Sequence, residues 1–125
     1  YLRVAEGCDH KCTFCAIPSF RGKFRSKPWQ SVVEEAKALA DTGAKELCLI
    51  AEDTNQWGMD LKKSDGRGLA ELLEALADVD GGEMIRILYA YPSYFSGTYW
   101  AFPKSASLFS HTRLTLSFIY LRGAD

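Results

Sequence analysis

Three short apolar runs, "YLRVA" at 1–5, "ELCLIA" at 46–51 and "IRILYAY" at 85–91, are separated by two amphipathic stripes. That alternation restricts the fold more than any other feature. Gly7 and Asp9 end the first run in a loop, because both residue types favour turns. Pro28 suits the opening turn of a helix, and Val32, Val33, Ala36, Leu39 and Ala40 then recur at helical spacing before Gly43. A second stripe, Leu69, Leu72, Leu73, Leu76 and Val79, runs up to Gly81 and Gly82. The run at 46–51 is bounded by polar and turn residues and reads as a strand buried on both faces, and Pro92 closes the third run. The predicted order is β-α-β-α-β. Strands and helices of these lengths imply parallel pairing with right-handed crossovers, hence an α/β sheet or part of a barrel.

The 125 residues suffice for one small domain with its own core. With 47% apolar and 25% charged residues, disordered and fibrous classes are excluded. The longest apolar run, "LTLSFIYL", covers eight positions, whereas a membrane-spanning helix needs about 20. No membrane association and no signal peptide are expected. The chain starts at Tyr1 without an initiator Met and enters a cysteine-rich stretch almost at once, so it is expected to be a fragment of a longer protein. A net charge of −1 supplies no general attraction for nucleic acid, although Arg21, Lys23, Arg25 and Lys27 make a local basic run.

In parallel α/β folds the loops leaving the carboxyl ends of the strands gather on one face, where the chemistry collects. Here those loops are "EGCDHKCTFC", "AEDTNQWG" and "YPS". The first places Cys8, Cys12 and Cys15 within eight positions, with Cys48 far downstream. A disulfide would leave an odd cysteine. A structural zinc site needs a fourth ligand, His10 or Cys48, but Cys48 sits mid-strand, where a free cysteine packs as a small hydrophobe. An iron-sulfur cluster held by three thiolates keeps one iron open for another ligand. The spacing favours the cluster over zinc, and thiolates suit both. His10 reads as a loop residue rather than a ligand.

The pattern CxxxCxxC directly after a first strand, with the aromatic Phe14 before the third cysteine, resembles the radical S-adenosylmethionine (SAM) enzymes. The resemblance implies that Cys8, Cys12 and Cys15 hold a 4Fe-4S cluster whose fourth iron binds the amino and carboxylate groups of SAM. It also implies a partial (β/α)6 TIM-like barrel, of which residues 1–94 would be the amino-terminal β-α-β-α-β part. "EGCDHKCTFCAIPSFRGKFRSKP", "LIAEDTNQWG" and "YAYPS", in this order, are similar to the methylthiotransferases, and "IPSFRG" with the Asp-Thr of "AEDT" to their RimO-type branch. That branch methylthiolates the β-carbon of an aspartate in ribosomal protein S-twelve. A reduced cluster passes an electron to SAM, giving methionine and a deoxyadenosyl radical that abstracts hydrogen from an unactivated carbon. The alternatives are a tRNA adenosine methylthiotransferase of the MiaB type and a metal-binding fragment without catalysis.

Several further expectations follow from the resemblance. Glu52, Asp53 and Thr54 would contact the SAM amino group, although the branch would have Gln at position 52, and Phe14 would stack near the adenine. Ordinary loop and packing roles compete with each of these. Trp57, Tyr89 and Tyr91 could line the substrate opening, but aromatics in and beside strands are more often core. The basic run at 21–27 could meet carboxylates of SAM or substrate, or be a solvated loop. An electron donor is required, and a second 4Fe-4S cluster is expected in an upstream domain. The location is cytoplasmic or another reducing compartment.

Residues 95–125 do not continue the pattern. Residues 1–92 hold fifteen acidic residues and residues 93–124 none, where about five would be expected. The shift suggests out-of-frame or intron-derived sequence, or a divergent tail. On this reading three strands are visible and the barrel is incomplete.

Overall fold

A computed structural model describes residues 1–61 and 67–91, and residues 113–116 as backbone. Four strands, β1 (Leu2–Arg3), β4 (Glu46–Ile50), β5 (Met84–Ile87) and β6 (Arg113–Leu116), form one sheet in that order. Every neighbouring pair is parallel, with Leu2 opposite Leu49, Leu49 opposite Ile87 and Ile87 opposite Leu116. Helix α2 (Trp29–Asp41) links β1 to β4, and α3 (Leu69–Ala77) links β4 to β5. Successive strands thus add on one side without a reversal of order, as in a growing β/α barrel and unlike a doubly wound sheet. The α/β expectation holds.

Both helices form where the apolar stripes predicted them. Val32, Ala36 and Ala40 of α2 and Leu69, Leu72, Leu73 and Leu76 of α3 are buried in one core with Leu2, Leu47, Leu49, Ile85 and Ile87 of the sheet. Each buried leucine or isoleucine contributes about 1.5–3 kcal/mol. Pro28 immediately precedes α2. The helix stops at Gly43, whose φ of +92° turns the chain and lets the Gly43 and Ala44 N–H groups donate to the Ala40 and Leu39 carbonyls. At the start of α3, the Glu71 carboxylate accepts from the Gly68 N–H at 2.8 Å. No helix among the described residues is long and apolar enough to cross a membrane.

The structure departs from the sequence reading in four places. The run at 1–5 is not one strand. After β1 the chain bends at Val4, and β2 (Ala5–Glu6) pairs antiparallel with β3 (Arg25–Ser26) in a separate ribbon. β4 is not buried on both faces: Leu47 and Leu49 are buried, whereas Glu46 is exposed and Cys48 and Ile50 are partly exposed. The helices of successive crossovers cover one sheet face, leaving the other to Arg3, Glu46, Cys48, Met84 and Arg86. Cys48 is therefore no core hydrophobe. It lies beside the Arg86–Glu46 ion pair, and burial and the nearby Glu46 push its thiol above the ordinary range.

The third run also ends early. β5 stops at Ile87, because the Leu88 and Tyr89 carbonyls and the Tyr91 N–H bond to the loop after β4 rather than to a neighbouring strand. Tyr89 adopts φ +59° there, a left-handed conformation that a bulky side chain rarely takes. Finally, β6 is a fourth strand beyond the three that the sequence reading identified. Pro92 and residues 95–112 and 117–125 lie outside the described residues.

Candidate functional site

The site is built by the loops that leave the carboxyl ends of the strands. From β2 the chain passes through Gly7, which sits at φ +78° so close to the next segment that a Cβ would stand 2.2 Å from the Lys23 carbonyl oxygen. Only glycine permits this approach. The contact ties the cysteine loop to residues 22–24: the Cys8 N–H donates to the Gly22 carbonyl at 3.2 Å, and the Phe24 N–H donates to the Asp9 carboxylate at 3.2 Å. Further on, the Cys15 N–H donates to the Cys12 carbonyl at 3.2 Å, and the short helix α1 (Ile17–Arg21) follows with Pro18 in its first turn.

The predicted cysteines share this loop in three environments. Cys8 is buried, Cys15 partly exposed and Cys12 exposed, and all are free thiols. Burial, above all, pushes the Cys8 thiol up. The His10 backbone N–H pulls it down, and negative charge on Asp53, Cys15 and Cys12 raises it again. Cys12 and Cys15 are thus near enough for a charge on either to oppose ionisation of Cys8. A cation that takes all three relieves that repulsion and releases protons. Among the described residues, no three His, Cys, Asp or Glu side chains already converge as a coordination group. The donor set itself, three soft thiols on one loop, fits a cluster bound by cysteine.

The loop after β4 has the opposite character. Asp53, Thr54, Asn55 and Gln56 are consecutive polar residues, each no more than 4% exposed, and the last three form a single 3-10 turn. Burial of such groups is tolerable only when they are bonded, and they are. The Asp53 carboxylate accepts from the Asn55 N–H at 3.2 Å, the Tyr91 N–H at 3.2 Å and the Gln56 amide at 3.0 Å, and is 2.7 Å from His10 Nε2. The Thr54 hydroxyl donates to the Leu88 carbonyl at 2.6 Å, and the Asn55 amide to the Tyr91 carbonyl at 2.6 Å. Among the described residues no buried side-chain nitrogen or oxygen lacks a partner.

The residues expected at SAM therefore separate. Asp53 and Thr54 spend their polar atoms on protein partners. Glu52 keeps a partly exposed carboxylate 3.9 Å from Arg21 Nε, and Phe14 is 73% exposed. Trp57 is core: 1% exposed, its indole N–H donates to the Lys27 carbonyl at 3.1 Å. Tyr89 and Tyr91, which the general tendency assigns to the core, are exposed at this face instead. In the basic run, Arg25 faces Glu6 at 3.8 Å, Lys27 pairs with Glu35, and Lys23 is exposed. His10 is a loop residue, but its bond to Asp53 and its ring contact with Tyr91, centroids 4.6 Å apart, were not foreseen. No local pattern announces a partner 43 positions away.

Comparison with known proteins agrees with this geometry. The chain is 57% identical over 95 residues to the Ribosomal protein uS12 methylthiotransferase RimO of Flavobacterium johnsoniae, covering 76% of this chain and 21% of that protein. The protein of the same name from Koribacter versatilis is 55% identical over 93 residues, 74% of this chain and 18% of its own length. That of a Sulfurihydrogenibium species is 47% identical over 111 residues, 89% and 25%. The chain thus spans between about a fifth and a quarter of the length of these curated relatives. The Radical SAM superfamily pattern matches residues 2–95, and with the parallel β/α sheet and the cysteine loop at its carboxyl ends, the chain belongs to the Radical SAM superfamily.

Proposed function

We propose that this chain is the amino-terminal part of the radical SAM core of a methylthiotransferase that modifies an aspartate of ribosomal protein uS12. The observation that carries the reading is the cysteine loop after the first strand, in a chain 47–57% identical to proteins of that name. Cys8, Cys12 and Cys15 hold a 4Fe-4S cluster through their thiolates. With SAM on the open iron, such a cluster supplies a radical able to take hydrogen from an unactivated carbon.

The chain's own residues bind, orient and enclose. Cys8, buried and bonded through its backbone, would supply one thiolate, and the more exposed Cys12 and Cys15 would supply the other two. Glu52 is the carboxylate left to meet the SAM amino group, and exposed Phe14 is available to cover the adenine. Asp53 and Thr54 serve the scaffold beneath them. Tyr89 and Tyr91, exposed on the same face, border the space where the substrate carbon must sit within reach while water is excluded. The whole protein carries a second 4Fe-4S cluster as sulfur source, receives electrons from an electron donor, and works in a reducing compartment, in keeping with four free cysteines.

The test joins this chain to the flanking sequence of a full-length relative, supplies reductant, sulfide and SAM, and offers both uS12 and tRNA. A methylthio mass increase on a uS12 aspartate is expected. The same increase on tRNA adenosine, with none on uS12, would assign the chain to the tRNA-modifying branch.

A further inference from the structure

We propose that His10 and Asp53 form a latch in which Asp53, acting through His10, is the positioning residue for the cysteine loop. The inference rests on the reading that Cys8, Cys12 and Cys15 hold the cluster, and adds a residue role that the ligand pattern does not contain.

Asp53 is 1% exposed, and its two carboxylate oxygens face four donors from three segments. The Asn55 N–H and Gln56 amide come from its own loop, the Tyr91 N–H from the end of the third strand region, and His10 Nε2 from between Cys8 and Cys12. A buried carboxylate loses its hydration, so each donor it gains is held firmly. The three donors outside the cysteine loop belong to the buried loop after β4 and the segment after β5, and the fourth ties the cysteine loop to them. The Tyr91 ring supports the same imidazole from the side, centroids 4.6 Å apart and planes at 57°.

Position within the loop gives the latch its effect. On the β2 side, Cys8 is fixed by its N–H bond to Gly22 and by the Asp9 bond to Phe24. Cys12 and Lys11 are exposed, and the Cys12–Cys15 turn is closed by its own bond from the Cys15 N–H to the Cys12 carbonyl. His10 is the anchor between these two parts. Its bond to Asp53 therefore sets where Cys12 and Cys15 stand relative to Cys8, and so how three thiols meet one cluster. An enclosed Asp53 has no oxygen to spare for SAM, so its influence on the cofactor passes through the loop.

The test compares the 125-residue chain with His10→Ala, His10→Gln and Asp53→Asn. Gln places an amide N–H where imidazole Nε2 stands and restores the bond without the ring. In the metal-free chain, hydrogen–deuterium exchange over residues 9–15 is expected to quicken about tenfold in His10→Ala, the size of one lost charge-assisted bond, and to return toward the parent value in His10→Gln. After anaerobic reconstitution and reduction, the electron paramagnetic resonance change caused by adding SAM should be lost or broadened in His10→Ala and regained in His10→Gln. Asp53→Asn is expected to follow His10→Ala; should it not fold, the His10 pair decides alone. Unchanged exchange and an unchanged SAM-dependent spectrum in His10→Ala overturn the latch, as does a failure of His10→Gln to restore either. A parent chain that takes up no iron and sulfide rejects the cluster reading, and the metal-free exchange comparison still decides the latch.

Discussion

The loops after the first and second strands of the sheet lie side by side and are built on opposite principles. The cysteine loop exposes its chemistry: Lys11, Cys12, Thr13 and Phe14 all face solvent. The loop after β4 buries four polar residues in a row and satisfies each one within the protein. One loop leaves its side chains in solvent, and the other leaves no buried polar side-chain atom unbonded. On the proposed reading the exposed loop takes the cluster, and the buried residues Asp53 to Gln56 hold that loop in place.

The largest way to break this contrast is to unseat the rigid loop. Trp57→Ala removes a fully buried indole and should lower stability by about 3–5 kcal/mol, read from urea unfolding. Placing the same substitution in each loop sharpens the comparison. Thr54→Val leaves the Leu88 carbonyl without its 2.6 Å donor and should destabilise by about 1–3 kcal/mol, whereas Thr13→Val, in the exposed loop, should stay within about 0.5 kcal/mol. Equal effects would erase the distinction.

Cys12→Ala should also leave stability within about 0.5 kcal/mol while reducing bound iron after reconstitution. Cys48→Ala, on the open sheet face, should leave iron content unchanged. Retained iron without Cys12, or stoichiometric zinc in place of iron, would remove the chemical half of the comparison.

The smallest effect lies at the root of the exposed loop. The Arg3 hydrogen bond holds the Glu6 carboxyl below its ordinary value of 4.5, and the charges of Arg3, Arg21 and Arg25 act in the same direction. A lowered carboxyl stabilises the fold above its ordinary value and loses that contribution as pH falls through its folded value. In Arg3→Ala the melting temperature should therefore be slightly lowered above pH 4.5 and converge on that of the parent chain as the pH drops below the folded value, so that the acid limb is shallower.

What the sequence revealed depended on the range of each interaction. The helices were legible because their stripes repeat within a few residues, and both end near glycines that the sequence displays. The cysteine loop was legible because its ligand types and spacing are local. The second face of β4 was misread because a run such as "ELCLIA" cannot say whether one sheet face or both will be covered. The resemblance places Asp53 at SAM, and no local pattern announces its four protein partners, which are distributed from His10 to Tyr91. Residues Leu88 to Tyr91 look like strand by composition; the Leu88 N–H still bonds to Leu49 of β4, but the Leu88 and Tyr89 carbonyls and the Tyr91 N–H bond to the polar loop.

Those long separations also bear on the order in which the molecule is assembled. His10 meets Asp53 across 43 positions, and Asp53 meets Tyr91 across 38. Closing such contacts costs more chain entropy than forming a helix, so they come late in folding. A chain emerging from the ribosome completes this arrangement only when Tyr91 has joined it, with most of the apolar core already available to collapse. The cysteine loop is thus tied down late, once Asp53 and Tyr91 are in place. Exchange over residues 9–15 should accordingly remain fast in a chain truncated at Ala77 and slow only once Tyr91 is included.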